Sequence, residues 1–252
     1  MISVVILGAG NVASHLYKAF QNSEDIDVKQ WYNRNLKPLQ SFQNDVLISD
    51  NISELKEADI YILAVSDDAV SELSSKLPFE NRLVVHTSGS VSIHDIDKKH
   101  RRGVFYPLQS FSKSADIDFS EVPICLETLD KADYHLLKEL ATAISEHTKR
   151  VNSEQRASLH LAAVFVNNFT NQLYRIAQEI TESTSTEFDL LKPLIKETAE
   201  KVQELSPYRA QTGPAKRNDK STIKKHLKQL KNEEHKTIYK LLTKSIQNTH
   251  GR

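Results

Sequence analysis

The chain begins with a strand pattern, a glycine-rich turn and a helix pattern, and this order constrains its fold more than any other feature. The segment "VVILGAGNVASHL", residues 4–16, has aliphatic residues before a G-x-G-x-x-A pattern and an amphipathic pattern after it. The chain has only six glycines, where an average chain of this length has about 17. Two of them stand in this turn, so we expect them where a side chain is not tolerated.

The turn has the spacing of a dinucleotide-binding loop. Gly8 permits the tight turn, Gly10 lets the backbone approach a pyrophosphate, and Ala13 is small enough for the helix to pack on the strand. Asn11 and Val12 lie at the start of the helix, where backbone N–H groups and a partial positive charge attract phosphates. The pattern therefore predicts dinucleotide binding, with a purely structural turn as the alternative.

Strand and helix patterns alternate as far as about residue 150, which predicts an α/β fold with a Rossmann-type, mainly parallel sheet. The predicted strands are 3–7, 27–32, 45–49, 59–65, 82–87, 103–107 and 122–127, and the helices between them include 12–21 and 68–76. Beyond them the pattern indicates long helices, at 153–183, 187–205, 219–231 and 234–247. We predict a dinucleotide-binding domain at 1–152 and an all-α domain at 153–252.

The end of the second predicted strand favours NADP over NAD. In NAD-binding chains an Asp or Glu about 20 residues after the glycine loop accepts hydrogen bonds from the ribose hydroxyls. The segment "QWYNRN", residues 30–35, has no acidic residue. Asn33 can bond to a hydroxyl or a phosphate, and the planar guanidinium of Arg34 suits a 2′-phosphate. An exposed loop arginine is the alternative.

Polar residues after the fourth and fifth strands predict the rest of the cofactor site, because ligands of open α/β sheets collect outside the carboxyl ends of the strands. We expect the nicotinamide end beside the "HTSGS" turn, where Gly89 allows close approach. Ordinary polar caps and turns are the alternative. The expected residues are Val65, Ser66, Asp67, Thr87, Ser88 and Gly89.

The predicted helix "EQRASLHLAAVFVNNFTNQLY", residues 154–174, carries a polar stripe. At about 100° per residue, four polar residues fall on one face of this helix, which is otherwise rich in Leu, Ala, Val and Phe: Arg156, His160, Asn167 and Asn171. Burying an unpaired amide costs ~1–3 kcal/mol, so the stripe lines a wet cleft or bonds to another helix. If it lines the active site, His160 is the predicted proton donor, because an imidazole can donate near neutrality. Asn167 and Asn171 are predicted beside it, and Ser88 or water is the substitute donor.

Two other segments supply candidates for the substrate side of the site. Gln109 follows a strand and can orient a substrate or the carboxamide of nicotinamide. Thr212 and Arg217 flank a loop between long helices, from which the same subunit or a dimer partner can place them at the mouth of the active site. A loop that ends one helix at Pro214 and caps the next with Asp219 is the alternative.

Six segments together resemble a known family: "GAGNVASHL", "VSDDAV", "VHTSGS", "GVFYPLQSFS", "LHLAAVFVNNFTNQLY" and "AQTGPAKRND". They are similar to bacterial Rossmann-like proteins that carry a C-terminal domain of unknown function numbered 2520 and are described as NADP oxidoreductases. The resemblance spans nearly the whole chain. It implies an N-terminal fold like that of pyrroline-5-carboxylate reductase and 6-phosphogluconate dehydrogenase, followed by a helical domain that builds a dimer.

The chain departs from the related β-hydroxyacid dehydrogenases at one point. In those enzymes the first helix of the second domain carries a Lys and, four residues later, an Asn that act on the substrate. Here the ionisable members of the stripe are Arg156 and His160, without a lysine. The resemblance therefore does not carry that mechanism over to this chain.

Composition and charge restrict the classes of function. Lys plus Arg equals Asp plus Glu, at 33 each, and the lysines of helix 219–231 lie opposite its apolar residues without interleaved aromatics, so no nucleic acid is expected. No apolar run approaches the ~20 residues that cross a bilayer, and no signal peptide or metal-ligand spacing is apparent. The single cysteine, Cys125, fits a reducing compartment. These observations predict a cytoplasmic protein that acts on a small molecule. The apolar positions of the C-terminal helices, among them Leu173, Leu190 and Leu241, predict a homodimer through that domain, since symmetric dimers are the commonest oligomers.

The combined prediction is an NADP-dependent oxidoreductase that moves a hydride between nicotinamide and a small C=O or C=N substrate. A non-catalytic NADP-binding sensor or interaction module is the alternative. The absent lysine favours that alternative, whereas the polar stripe and the "HTSGS" turn favour the enzyme.

Overall fold

The computed structural model describes residues 1–113 and 115–250. The chain divides into two compact units, Met1–Asn167 and the part from Asn168 onward. The first unit contains a mainly parallel sheet with helices and the second is helical, which confirms the predicted fold class. The helix that begins at Ser153 belongs mostly to the sheet unit, and the functional domains 1–152 and 153–252 stay a prediction.

An eight-stranded sheet forms the centre of the first unit. Its spatial order is β3-β2-β1-β4-β5-β6-β7-β8, and every neighbouring pair is parallel except β6 and β7. The strands are β1 Ile2–Leu7, β2 Ile26–Tyr32, β3 Ile48–Ser49, β4 Ile60–Leu63, β5 Leu83–His86, β6 Arg101–Pro107, β7 Ile124–Thr128 and β8 Thr148–Arg150.

The described residues contain nine α-helices, of which four accompany the sheet and five build the second unit. Those of the first unit are α1 Asn11–Gln21, α2 Val70–Lys76, α3 Lys131–Thr142 and α4 Ser153–Ala163. A π-helical segment, Val164–Phe169, follows α4. The remaining helices are α5 Thr170–Glu182, α6 Lys192–Glu204, α7 Pro207–Ala210, α8 Lys220–Gln229 and α9 Glu233–His250.

The central strands are buried on both faces, as parallel strands covered by helices require. Every residue of β4 is buried, and Val4–Leu7 of β1 and Leu83–Val85 of β5 are fully inaccessible. Because each such aliphatic side chain contributes ~1.5–3 kcal/mol when buried, this core fixes the positions of the strand ends. The loops that follow β1, β4 and β5 are therefore attached to the fully buried ends of these strands.

The structure differs from the sequence prediction in four places. The third strand is only Ile48–Ser49, because residues 43–45 form a turn and Leu47 is exposed. Helix α3 and strand β8 were not predicted. Helix α3 begins where the Asp130 carboxylate accepts a hydrogen bond from the Ala132 N–H at 2.9 Å. The predicted helix 153–183 is interrupted by the π-helical segment Val164–Phe169.

Polar contacts connect α9 to α8 and to the turn before α8 in the second unit. His226 Nδ1 lies 2.9 Å from the Tyr239 hydroxyl, and the Gln247 amide donates to the Asn218 side chain at 3.1 Å. Within this unit, large apolar side chains remain exposed in the single chain: Leu173, Ile180, Leu190, Leu194, Val202, Leu205, Leu241 and Leu242. Among the described helices, none is both long and apolar enough to traverse a bilayer.

Candidate active site

A cleft of about 800 Å³ opens at the carboxyl ends of the central strands, entirely within the first unit. It lies where ligands of open α/β sheets bind. Most of the predicted cofactor and substrate residues line it: Gly8, Gly10, Asn11, Val12, Asn33, Arg34, Val65, Ser66, Asp67, Thr87, Gly89, Gln109 and His160.

The glycine loop forms one wall of the cleft. Gly8 has φ +116°, and a Cβ at this position would lie 2.1 Å from the Ala64 carbonyl oxygen, so only glycine fits. At Gly10 the backbone has φ −78°, and a Cβ would meet no atom within 4 Å. The protein itself therefore does not require a glycine at position 10, whereas a ligand approaching the backbone there would. Ala13, a residue of α1, is fully buried.

Trp31 fixes the glycine loop from beneath. Its Nε1–H donates a hydrogen bond to the Gly8 carbonyl at 2.6 Å, and its ring stacks on Tyr17 of α1 at a centroid distance of 4.6 Å. Asn11 donates its side-chain N–H to the Phe111 carbonyl at 2.8 Å, which ties the start of α1 to the segment after β6. Neither contact was predicted from the sequence, because Trp31 and Phe111 stand there as ordinary apolar residues of a strand and a loop.

The rim of the cleft near β2 carries two cations and one anion. Arg34 is exposed there, while the Asn33 side chain donates to the Asn35 carbonyl at 2.7 Å. Across the rim, Lys76 and, more weakly, the charge of Arg34 lower the pKa of the Glu72 carboxyl. Glu72 and Lys76 line the cleft from α2 and were not predicted. The local charge is net positive, which suits a phosphate.

The turns after β4 and β5 are joined by side chains. The Ser90 hydroxyl donates to the Asp67 carboxylate. Ser88 Oγ accepts from the N–H groups of Ser90 and Val91, each at 3.1 Å, and Ser88 does not line the cleft. The Ser88 hydroxyl therefore shapes the turn, and its role as a substitute proton donor stays a prediction.

His86, at the end of β5, is buried beneath this turn. Its Nδ1 accepts a hydrogen bond from the Ser88 N–H at 3.1 Å. Burial, reinforced by the positive charge of Arg156, lowers the pKa of His86 to about 4. The imidazole is therefore uncharged near pH ~7, and it accepts a hydrogen bond from the turn.

Arg156 anchors α4 to the sheet. Its side chain is 1 % exposed, pairs with the Glu127 carboxylate and donates to the Val91 carbonyl. Ser153 also donates its backbone N–H to Glu127, at 2.9 Å. Removing one partner of such a buried pair costs ~3–5 kcal/mol, so this member of the predicted polar stripe holds the fold together.

The other stripe residues separate into two groups. His160 lines the cleft from α4. Asn167 lies in the π-helical segment and Asn171 in α5, and both are exposed. A π-helical turn is wider than an α-helical one, so the spacing of about 100° per residue on which the stripe was predicted does not hold across it. Site roles for Asn167 and Asn171 stay a prediction.

His160 packs directly against Gly89 and Tyr106. A Cβ on Gly89 would lie 2.6 Å from His160 Nδ1, which leaves room there for glycine alone. The Tyr106 hydroxyl lies 3.0 Å from the same Nδ1, and the two rings meet edge to face at 6.1 Å. We expected Gly89 to admit the nicotinamide; in the structure the group that approaches it is the imidazole of His160.

Burial is the main cause that raises the pKa of Tyr106 to about 12, with a smaller contribution from the Cys125 thiol. Tyr106 is therefore a neutral phenol in the physiological range. Gln109 lines the same end of the cleft, and its side-chain oxygen accepts from the Ser110 N–H at 2.7 Å. This end combines an imidazole, a phenol and an amide, which are groups that can orient and protonate a polar substrate.

Thr212 and Arg217 lie in the second unit, before α8, and both are exposed. Asp219 caps α8, its carboxylate accepting from the Thr222 N–H at 3.0 Å. The capping function of this loop is thus present, and a role for Thr212 and Arg217 at the mouth of the active site stays a prediction.

A second concavity of about 850 Å³ lies elsewhere on the sheet unit, lined by α1, residues 116–120 and residues 142–146. It contains neither the glycine loop nor the ends of β4 and β5, so the first cleft is the candidate active site. In the described part of the chain, no three His, Cys, Asp or Glu side chains are grouped as metal ligands would be.

The sequence matches two family models. Residues 3–89 match the family described as "NADP oxidoreductase coenzyme F420-dependent", and residues 122–246 match "Domain of unknown function (DUF2520)". The first match includes the glycine loop, Arg34 and Gly89, and the second includes α4. A search of the curated proteins found no match.

Solved structures resemble the chain along its whole length. A "putative NADP oxidoreductase" from Bacteroides fragilis is 37 % identical, with 98 % of each chain covered and a TM-score of 0.87. An imine reductase from Myxococcus stipitatus in complex with NADP⁺ is 16 % identical, with 99 % of this chain and 96 % of that chain covered and a TM-score of 0.69. A pyrroline-5-carboxylate reductase from Coxiella burnetii is 16 % identical, with 100 % of this chain and 99 % of that chain covered and a TM-score of 0.58. The last two likenesses concern the fold alone.

Proposed function

This chain belongs to the family of NADP oxidoreductases that carry the C-terminal domain of unknown function 2520, and from that premise we propose that it transfers a hydride between NADP and a small substrate with a C=O or C=N bond. The family makes it an NADP-dependent oxidoreductase; the substrate class and the roles of individual residues are our proposal. The observation that carries the proposal is a single cleft that combines a glycine loop, a cationic rim and an accessible imidazole.

The residues of the cleft fit NADP. The open space beside Gly10, into which a Cβ would project without touching the protein, suits a pyrophosphate bound by the backbone N–H groups at the start of α1. Arg34 would bind the 2′-phosphate at the rim, with Asn33 beside it. Val65, Ser66, Asp67 and Thr87 would hold the middle of the cofactor. When bound, NADPH supplies the hydride.

His160 is the group that we propose as proton donor to the substrate. Reducing a C=O or C=N bond adds a hydride to the carbon and a proton to the heteroatom, and the proton donor must lie within hydrogen-bond reach of that heteroatom. The ring of His160 lines the cleft beside Gly89, at the end remote from the cationic rim. Gln109 would orient the substrate from the same end.

We also propose that the protein works as a homodimer through its C-terminal helices. The exposed leucines of the second unit, among them Leu190, Leu194 and Leu241, support this, since apolar surface of this kind is commonly buried between subunits. In this arrangement Thr212, Arg217 and the exposed Asn167 and Asn171 would reach an active site of the dimer. The single free cysteine is in keeping with a reducing cytoplasm as the place of action.

The proposed function is tested by cofactor binding followed by a reductase screen. NADPH binding is measured first, and NADPH oxidation is then followed with aldehydes, keto acids and imines as separate substrate classes. With NADPH carrying deuterium at C4, we expect one deuterium on the product carbon. A protein that binds NADPH and oxidises it with none of these classes would contradict the proposed substrate range.

A further inference from the structure

We infer that Tyr106 and His160 form a two-residue proton relay, in which Tyr106 donates to Nδ1 of His160 and Nε2 of His160 presents a proton to the substrate. The inference rests on the proposed reductase function, which it deepens by assigning the reacting atom and the group behind it. His160 is the catalytic residue in this account. Tyr106 also lines the cleft and acts through His160 as a positioning residue.

The position of His160 is fixed by close packing on one edge of its ring. A Cβ on Gly89 would come within 2.6 Å of Nδ1, 2.7 Å of Cγ and 2.8 Å of Cβ. The φ angle of Gly89 is not in the left-handed region, so its backbone does not require glycine. The contact with the imidazole is therefore the reason that we assign for a glycine at this position.

The direction of the hydrogen bond follows from the surroundings of Tyr106. Tyr106 is 8 % exposed and lines the cleft, and among the described residues the one hydrogen-bond partner of its hydroxyl is His160 Nδ1, at 3.0 Å. Burial raises the pKa of Tyr106 to about 12, so the phenol keeps its proton. If Nδ1 carried a hydrogen and donated it, the phenol hydrogen would have no protein acceptor among the described residues and would need a water molecule of the cleft. We therefore assign the phenol as the donor and place the imidazole hydrogen on Nε2.

The opposite edge of the ring is available to a ligand. His160 lines the cleft, its Nε2 has no hydrogen-bond partner among the described residues, and this atom is not buried. Packing on the Nδ1 edge and openness at Nε2 together leave a single nitrogen that can reach a substrate.

The relay moves two protons and leaves the imidazole of His160 neutral. With the substrate carbon accepting the hydride that bound NADPH would supply, the electron pair of the C=O or C=N bond takes the proton from Nε2 of His160. The phenol proton of Tyr106 moves to Nδ1 at the same time, so the imidazole remains neutral. Nε2 then takes a proton from solvent and the Nδ1 proton returns to the phenolate oxygen of Tyr106, which restores the starting state. An alkoxide or amide anion is a much stronger base than a phenolate, so the transfer is favourable.

The hydrogen bond between Tyr106 and His160 is tested without any substrate by ¹⁵N NMR of histidine-labelled protein. The pH is set about 2 pH units above the ordinary histidine pKa of ~6.5. Comparison with His160→Gln assigns the signals. In the wild type we expect hydrogen on Nε2 and a hydrogen-bonded Nδ1. In Tyr106→Phe the Nδ1 resonance should move to that of a free imidazole, and in the control Tyr134→Phe it should not. Hydrogen on Nδ1 in the wild type, or no change in Tyr106→Phe, would overturn the relay even if the enzyme is an active reductase.

The kinetic test uses a substrate from the screen. Tyr106→Phe should lower kcat about 10- to 100-fold, at the low end of general acid catalysis, with KM for NADPH unchanged. In the His160→Gln background the same exchange should have no further effect, because Tyr106 acts only through His160. In mixtures of H₂O and D₂O the wild-type rate should follow a curve, for two protons in motion, and the Tyr106→Phe rate a straight line. A further loss in the His160→Gln background, or a straight line for the wild type, would contradict the relay.

Discussion

Exchanging each glycine of the loop for alanine should separate cofactor binding from folding. At Gly10 the backbone angle suits any residue, and a Cβ would meet no protein atom within 4 Å. Gly10→Ala should therefore change the free energy of unfolding by no more than about 1 kcal/mol, the scale of an exchange at a helix N-cap.

The same methyl group would occupy the space in which we place the pyrophosphate. A hydrogen bond to a charged group contributes ~1.5–3 kcal/mol, and ~1.4 kcal/mol is tenfold in Kd. The Gly10→Ala variant, which loses one N–H···phosphate contact, should thus bind NADPH about 10- to 100-fold more weakly than the wild type.

Gly8→Ala is the matched variant with the opposite expectation. Its φ of +116° and a Cβ 2.1 Å from the Ala64 carbonyl oxygen combine backbone strain with a clash. Strain alone costs ~1–3 kcal/mol, so we expect this variant to lose ~3 kcal/mol of stability or more.

Trp31 makes both measurements accessible. It is the single tryptophan of the chain, and its Nε1 bonds to the Gly8 carbonyl. Its fluorescence reports unfolding in urea, and energy transfer to bound NADPH reports Kd. A Gly10→Ala variant that binds NADPH as tightly as the wild type, or that is as unstable as Gly8→Ala, would refute the placement of the pyrophosphate beside Gly10.

Four further predictions concern cofactor choice, catalysis, pH and assembly. NADPH should bind at least about tenfold tighter than NADH, ~1.4 kcal/mol, and Arg34→Ala should remove most of that preference; equal Kd values in the wild type would contradict it. His160→Ala should keep NADPH affinity but lower turnover ~10²-fold, and wild-type turnover would assign the proton to another group. The pKa of His86, about 4 in the folded protein against ~6.5 unfolded, means that the folded state binds fewer protons. Stability should therefore be full above pH ~6.5 and fall by up to ~3 kcal/mol as the pH drops towards 4, and urea unfolding should show a flatter profile for His86→Gln. Light scattering should give about twice the chain mass of 28.6 kDa; a particle of one chain mass at micromolar concentration would contradict the dimer.

The sheet unit was predictable because its strands are short apolar runs and its turns carry polar residues. The glycine loop, the order of strands and helices and the position of the cleft follow from these patterns. Helix α3 and strand β8 were not predicted. Strand β8 has the sequence Thr-Lys-Arg, which is not an apolar run. The π-helical segment Val164–Phe169 was also missed, since residue spacing does not distinguish it from an α-helix.

The candidate site was predictable as a set of positions but not as a set of contacts. His160 and Gly89 were both singled out, yet their direct packing joins residues 71 positions apart and has no local signal. The same holds for Trp31 beneath Gly8 and for Tyr106 beside His160. Arg156 illustrates the converse, because a polar residue on an apolar helix face suggested a site and the structure buries it in an ion pair with Glu127.

A crystal structure of the protein with NADP⁺ tests the central claim most directly. We predict the pyrophosphate against Gly10 and the start of α1, the 2′-phosphate at Arg34, and the nicotinamide beside Gly89 and His160. The substrate position, defined as the space within ~3.5 Å of the nicotinamide C4, should be within hydrogen-bond reach of His160 Nε2. A nicotinamide bound away from His160, or NADP⁺ bound outside this cleft, would contradict the account.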